Sequence, residues 1–264
     1  MPYFKMVRQA LPAKTVADAR QLANDVCRRN AVGKFSVASE WTNATERQRA
    51  LGIAEVFLNG PAADLFRSRF DVEPALCLNI MTVRHQAPEG AAEAVGWHLD
   101  LGFVGDDSPF LVSWTALQDV GRDRPGLEVC VPAGSGHNLT SLLEAWRQRR
   151  LSNGSLVFDD RDLDEHLGQG GWQARVAHAT EGDAAVFDQL VLHRTQPMTG
   201  VFQERHSIEF RMMSLDALPM YQRTQTAIFA QRSTEGGVRL YKAVNGNPLT
   251  MTLDAFCTLE IHAG

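Results

Sequence analysis

The chain is short of cysteine and has no long apolar run. Its four thiols, Cys27, Cys77, Cys130 and Cys257, stand far apart in 264 residues, and none forms a C-x-x-C pair. Such spacing suits neither a disulfide framework nor a thiolate metal knot, so reduced, mostly buried thiols in a cytoplasmic protein are expected. No 18 consecutive apolar residues occur, and the opening Met-Pro-Tyr-Phe-Lys-Met-Val-Arg has no apolar leader core. Neither a membrane span nor a secretion signal is therefore expected. Lys and Arg number 26 against 31 Asp and Glu, giving a net charge of −5, and they are dispersed. Nothing in that pattern suggests a nucleic-acid surface. H-E-x-x-H, G-x-x-x-x-G-K-[ST], G-x-S-x-G and G-x-G-x-x-G are all missing, and with them the marks of several large enzyme classes. There is no internal repeat.

What is present suits a globular protein with a full core, at 44% apolar and 22% charged residues. All-β barrels reach this length as one domain. Residues 15–30 place Val16, Ala19, Leu22, Ala23 and Val26 on one side of a helix, with Thr15 as the expected N-cap and Asp18 three residues on. Further helices are expected over residues 45–58 and 62–69. Residues 32–43 have no clear period and suit a strand or a loop over a pocket. From Pro74 the texture changes to short strand runs separated by turn residues, at 75–83, 110–117, 127–131, 173–177, 184–187, 190–193 and 205–213, which argues an all-β core. Residues 140–150 form an inserted helix. The acidic and Gly-rich stretch 159–171 is expected as a solvated loop of the kind that often lines active sites, as is the loop 102–109. The order of elements in the last fifty residues is not legible.

Chemistry first shows at Gly96-Trp97-His98-Leu99-Asp100-Leu101. In an extended segment His98 and Asp100 project to the same side, and an imidazole and a carboxylate together can hold one divalent cation. One more histidine would complete a 2-His-1-carboxylate facial triad of the non-haem Fe(II) type. With 8 histidines in the chain, the pair alone is weak evidence. His193 ends an apolar run 93 positions after Asp100. Beyond it, Arg205, Ser207, Glu209 and Arg211 alternate with His206, Ile208, Phe210 and Met212. In a barrel such a strand can be inverted, its apolar face under outer helices and its polar face lining a cavity. An arginine on that inner face needs an anion, and a carboxylate held at two points is the best one.

Five stretches in order carry a family resemblance: WHLD (97–100), SWTALQDV (113–120), GLEVCVPAGSGH (126–137), GDAAVFDQLVLHRT (182–195) and RHSIEFR (205–211). Over residues 74–213 the chain resembles the phytanoyl-CoA dioxygenase-like branch of the Fe(II)/2-oxoglutarate-dependent oxygenases. The resemblance implies a double-stranded β-helix (jelly-roll) with helices outside one sheet, within a single oxygenase domain over 1–264. Helices at about 15–70 would precede the core, and an extension, 214–264, would follow it. It implies Fe(II) on His98, Asp100 and His193, and the distal carboxylate of 2-oxoglutarate on Arg205 with Ser207. Arg211 would be a substrate anchor or the partner of Glu209. There are two departures. The family often has His-Gly-Ser or His-Gly-Thr where this chain has His193-Arg194-Thr195, and the gap to Arg205 is one residue longer than expected.

The implied chemistry couples decarboxylation of 2-oxoglutarate, with O2 as co-substrate, to oxidation of an unactivated C–H bond. Related halogenases have a small residue in place of Asp100, so a carboxylate there favours hydroxylation, with desaturation or ring formation open. A small metabolite of secondary metabolism is the expected partner, since no basic groove for a polymer or coenzyme A is evident. Two other readings stand beside this one. A cupin-type metalloenzyme would keep the three ligands but not explain Arg205, and a non-catalytic jelly-roll binding module would not need the triad. His85, His137, His166, His178, His206 and His262 are taken as structural or surface residues.

Overall fold

The computed structural model describes residues 2–29, 36–37, 41–86, 95–101, 108–132, 140–153, 157–199, 202–218 and 226–258. Two antiparallel sheets face each other. The larger runs β1 (Phe4–Val7), β10 (Ala184–Phe187), β6 (Phe110–Ala116), β12 (Arg205–Met213), β3 (Ala75–Cys77), β13 (Ala227–Arg232), β14 (Val238–Val244) and β15 (Asn247–Met251). Beside β12 it adds β4 (Thr82–Gln86), and on β4 lies β2 (Ser36–Val37). The smaller sheet runs β8 (Val157–Phe158), β5 (Trp97–His98), β11 (His193–Thr195), β7 (Leu127–Pro132) and β9 (Trp172–Ala177). This is a jelly-roll, as expected.

Three apolar clusters fix the layers. Helices α1 (Ala13–Arg29), α2 (Ala44–Leu58) and α3 (Pro61–Phe70) cover the outer face of the large sheet. Val16, Leu22, Phe57 and Phe66 pack there against Ile208, Phe210 and Met212. Between the sheets lie Phe110, Val112, Trp114, Phe187, Met213 and Phe229. β12 is therefore inverted: its apolar face meets helices and its polar face looks into the barrel. A third cluster joins Trp97, Leu99, Phe158 and Leu192 to Leu142, Trp146, Leu163 and Leu167 of two inserted helices, α4 (Thr140–Asn153) and α5 (Asp160–Leu167).

Several local expectations need correction. α1 begins two residues before Thr15, with Val16 N donating to Pro12 O at 3.0 Å, so Thr15 lies inside the first turn. The strand expected over 75–83 is broken by a 3-10 turn at Leu78–Ile80. Asn79 Oδ1 accepts from Ile228 N, and Ile80 O accepts from Arg211, at that kink. The strand expected over 190–193 does not form before His193: Asp188 accepts from Leu190 N and Val191 N, forming a turn that competes with extended pairing. The acidic stretch expected as a loop is α5, started by a reciprocal cap between Asp159 and Asp162. It packs behind the small sheet. Residues 102–107, His137 and His262 lie outside the described residues.

The turn before β10 does follow its sequence. Gly182 has φ +87, and a Cβ there would meet Leu11 O at 2.5 Å, so glycine is required. The residues after 213 extend the large sheet, since β13 pairs with β3 and carries β14 and β15 beyond it. A further helix, α6 (Leu253–Cys257), follows.

Phe57 on α2 stacks on Phe210 of β12, with ring centroids 4.1 Å apart and both residues fully buried. Phe57→Ala should lower unfolding free energy by about 3–5 kcal/mol in urea denaturation. A loss under about 1 kcal/mol would show that the helical layer is not part of the cooperative fold.

Candidate metal centre

His98 and His193 are register partners across β5 and β11, with ring centroids 4.1 Å apart and tilted by 54°. Asp100 sits just past the end of β5, in a turn. The segment still alternates, with Trp97 and Leu99 packing behind the small sheet. One ligand-type atom from each of His98, Asp100 and His193 lies within 4.8 Å of the others.

The ring orientation follows from the backbone. His98 Nδ1 lies 2.8 Å from Gly96 O, and His193 Nδ1 lies 2.9 Å from Val191 O. A carbonyl oxygen only accepts, so each ring carries a proton on Nδ1, which leaves Nε2 as the atom that can bind a metal. Burial first, then the neighbouring His193, pushes the His98 pKa down to about 3, so the ring is neutral at pH 7. Burial works against the charge on Asp100. Arg211 above all, then His193 and His98, nevertheless hold its carboxyl below the usual range.

The fit to a cation can be judged by comparing two buried carboxylates. Asp183, 1% exposed, accepts from Gln9 N, Thr180 N, Thr180 Oγ1 and Arg8. Asp100, also 1% exposed, has neither oxygen hydrogen-bonded among the described residues. Among the described residues it is paired with Arg211, whose Nη2 stands 3.8 Å from Oδ1. A desolvated carboxylate without donors is costly unless a cation completes it. Two imidazoles and one carboxylate are the donor set of a 2-His-1-carboxylate iron site.

Arg205 is fully buried between the sheets. Its Nη1 donates weakly to Gly126 O at 3.4 Å, and its guanidinium carbon stands 5.7 Å from the Trp114 ring centroid. Nε and Nη2 of Arg205, and Nε1 of Trp114, have no partner among the described residues. Burial first, then nearby Arg84, lowers the Arg205 pKa to about 9. Ser207, two along on the same face, is buried opposite Arg84 of β4. Arg211 is differently placed: Nη2 lies 2.5 Å from Glu209, and Nη1 donates to Ile80 O at 2.8 Å. Arg84, whose Nη2 is 3.9 Å from Glu209, completes this charged interior. Sequence reading passed over Arg84, although Thr82, Arg84 and Gln86 alternate with Val83 and His85 as the polar face of β12 does.

Comparison with solved structures agrees with this architecture. The chain is similar to a non-heme alpha ketoglutarate dependent carbocyclase, SnoK from nogalamycin biosynthesis, at TM-score 0.58 and 15% identity over 83% of this chain and 82% of that one. It is similar to EctD from S. alaskensis with 2-oxoglutarate and 5-hydroxyectoine, at 0.54 and 15% over 84% and 74%. It is also similar to a non-heme monooxygenase, the ThoJ–Ni complex, at 0.54 and 14% over 89% and 82%. The chain has the fold of the Fe(II)/2-oxoglutarate-dependent oxygenases. At such identities the likeness concerns fold. No protein-family profile matches the chain, and no curated protein matches it in sequence.

Acid should expose the buried imidazoles. His98 is lowered from 6.5 to about 3, and His206 from 6.5 to about 4 by burial and then by His85. A base with a depressed folded pKa stabilises the fold fully above its unfolded pKa, and that stability is lost as pH falls. The urea midpoint of the metal-free protein should therefore drop between pH 6.5 and 4. In His98→Gln the pH slope of unfolding free energy should be smaller by up to one proton. An identical slope in the variant would contradict a neutral, buried His98.

Proposed function

We propose that the protein is an Fe(II)- and 2-oxoglutarate-dependent dioxygenase. It would hydroxylate, or otherwise oxidise, an unactivated C–H bond of a small metabolite, with O2 as co-substrate. One observation carries the reading. The same buried interior holds an undonated Asp100 carboxylate between two imidazoles, and an Arg205 guanidinium with no carboxylate partner among the described residues. His98, Asp100 and His193 would hold the metal, and Arg205 with Ser207 the distal carboxylate of the oxo acid. When bound, metal and oxo acid supply the oxidising chemistry with O2.

The chain's own part is orientation and dryness. Gly96 O and Val191 O hold the Nδ1 protons of the two histidines and keep Nε2 directed to the shared point. Trp114 beside Arg205 and Phe187 beside His193, its ring centroid 4.6 Å away, keep water from the interior. Arg211 beside Glu209 and Asp100 supports a role in holding those carboxylates more than one as a substrate anchor. Asp100 as a carboxylate supports hydroxylation over halogenation. A cupin-type enzyme without 2-oxoglutarate would leave Arg205 unexplained, and a non-catalytic module would leave the triad unexplained.

Secondary metabolism is supported by SnoK, described as coming from nogalamycin biosynthesis. Among the described residues no helix is long and apolar enough to cross a membrane. Free Cys77, Cys130 and Cys257 support a reducing, cytoplasmic setting. We take residues 1–264 as one catalytic unit.

Calorimetric titration of 2-oxoglutarate into anaerobic Fe(II)-loaded protein tests the assignment. Truncating one member of a buried charge pair costs about 2–5 kcal/mol, and about 1.4 kcal/mol is tenfold. Arg205→Ala should thus weaken binding roughly thirty- to several-thousand-fold, and Arg205→Lys should recover part, because an ammonium lacks the planar fork. Wild-type affinity in Arg205→Ala with a loss in Arg211→Ala would move the anchor to Arg211. No loss in either would sink the oxoglutarate reading.

A further inference from the structure

Arg194 stands where the resembling family often has glycine, and nothing in the oxygenase reading uses it. It follows His193 on β11, so its side chain lies on the face of the small sheet turned away from the metal ligands. There its Nε donates to Glu128 Oε2 at 2.6 Å, and its Nη1 donates to Asp160 Oδ1 at 3.0 Å. Its guanidinium carbon is 4.4 Å from the centroid of the Trp97 ring, and Trp97 Nε1 donates to the same Asp160 oxygen at 2.7 Å. Glu128 is the register partner of Arg194 on β7, and Asp160 is the first residue of α5. Trp97 immediately precedes His98. One guanidinium therefore ties together the strand carrying His98, the strand carrying His193, β7 and the inserted helices.

The strands need such a tie. β5 is two residues long, and so is its outer neighbour β8, while β11 has three. Strands this short have few ladder bonds to fix the tilt of a side chain. A planar group held at two carboxylates and stacked on an indole has little freedom left. Trp97 is further braced by Trp172, edge-on at 5.9 Å, whose own Nε1 donates to Asp164 of α5 at 3.0 Å.

We propose that Arg194, acting through Trp97 and Asp160, is a positioning residue of the metal centre. It sets the separation and tilt of the His98 and His193 rings from behind, and it couples the 140–171 insertion to that geometry. The inference rests on the metal assignment above.

The test is anaerobic titration of the metal-free protein with Co(II), following affinity and the visible d–d band, which reports ligand geometry. Urea midpoints and a His98→Ala control accompany it. Outer partners of metal ligands are typically worth 10–100-fold in metal affinity. Arg194→Gln and Asp160→Ala, which removes the oxygen that accepts from both Arg194 and Trp97, should therefore weaken Co(II) binding by up to about 10- to 100-fold and change the band shape. Arg194→Lys should fall between, because an ammonium keeps the charge but cannot bridge both carboxylates. A merely structural role would lower the urea midpoint and leave the band of the folded, loaded protein unchanged. Asp160 is 58% exposed on its side chain, so Asp160→Ala decides the matter if Arg194→Gln does not fold. Wild-type affinity and band in Asp160→Ala and in folded Arg194→Gln, with binding lost in His98→Ala, would overturn this inference alone. Undiminished Co(II) binding in His98→Ala would overturn the metal assignment along with it.

Discussion

A carboxylate sealed between two sheets, with Arg211 3.8 Å away but no hydrogen-bond donor among the described residues, is the constraint on which this structure turns. Desolvating one such charge costs several kcal/mol, and elsewhere the protein avoids that cost: Asp183, equally buried, accepts from backbone, hydroxyl and guanidinium donors. Around Asp100 the chain supplies instead two imidazoles whose protons are committed to backbone carbonyls on the far side of each ring. The lone pairs and the carboxylate oxygens thus share one small volume. Two imidazoles and a carboxylate brought together in this way are a donor set for a divalent cation.

The inverted β12 is the second condition. A strand with a polar inner face destabilises a barrel unless its outer face recovers the loss, and here the helices do so. Ile208, Phe210 and Met212 are all fully buried under α1, α2 and α3, each side chain contributing on the order of 1.5–3 kcal/mol. That layer lets Arg205, Glu209 and Arg211 remain inside. The helices contribute no functional group to the site, yet the charged interior depends on them.

Residue patterns with a short period were legible before the structure. The alternation along β12 revealed which face would look inward, and the ordered stretches from WHLD to RHSIEFR pointed to the jelly-roll. The donor set also lay in the pattern, although only the fold could bring His193 into register with His98, 95 positions away. What escaped depends on competition between local and tertiary bonds. The kink at Leu78–Ile80 sits inside a run that is apolar from Ala75 to Met81 except for Asn79, and it is held where Ile228 and Arg211 draw on Asn79 and Ile80 from distant strands. Residues 159–171 looked like a solvated loop because their few apolar side chains, Leu163 and Leu167, pack only once Trp97 and Phe158 are beneath them. Arg194 was noticed as an irregularity, and its purpose shows only where Glu128, Trp97 and Asp160 converge.

The most direct measurement is the anaerobic visible spectrum of the protein with stoichiometric Fe(II), before and after 2-oxoglutarate. A weak charge-transfer band should appear only when both are present, and it should be absent from the His98→Ala, Asp100→Ala and His193→Ala variants. A band of wild-type strength in all three variants would contradict the account, and so would no band in the wild-type protein with both added.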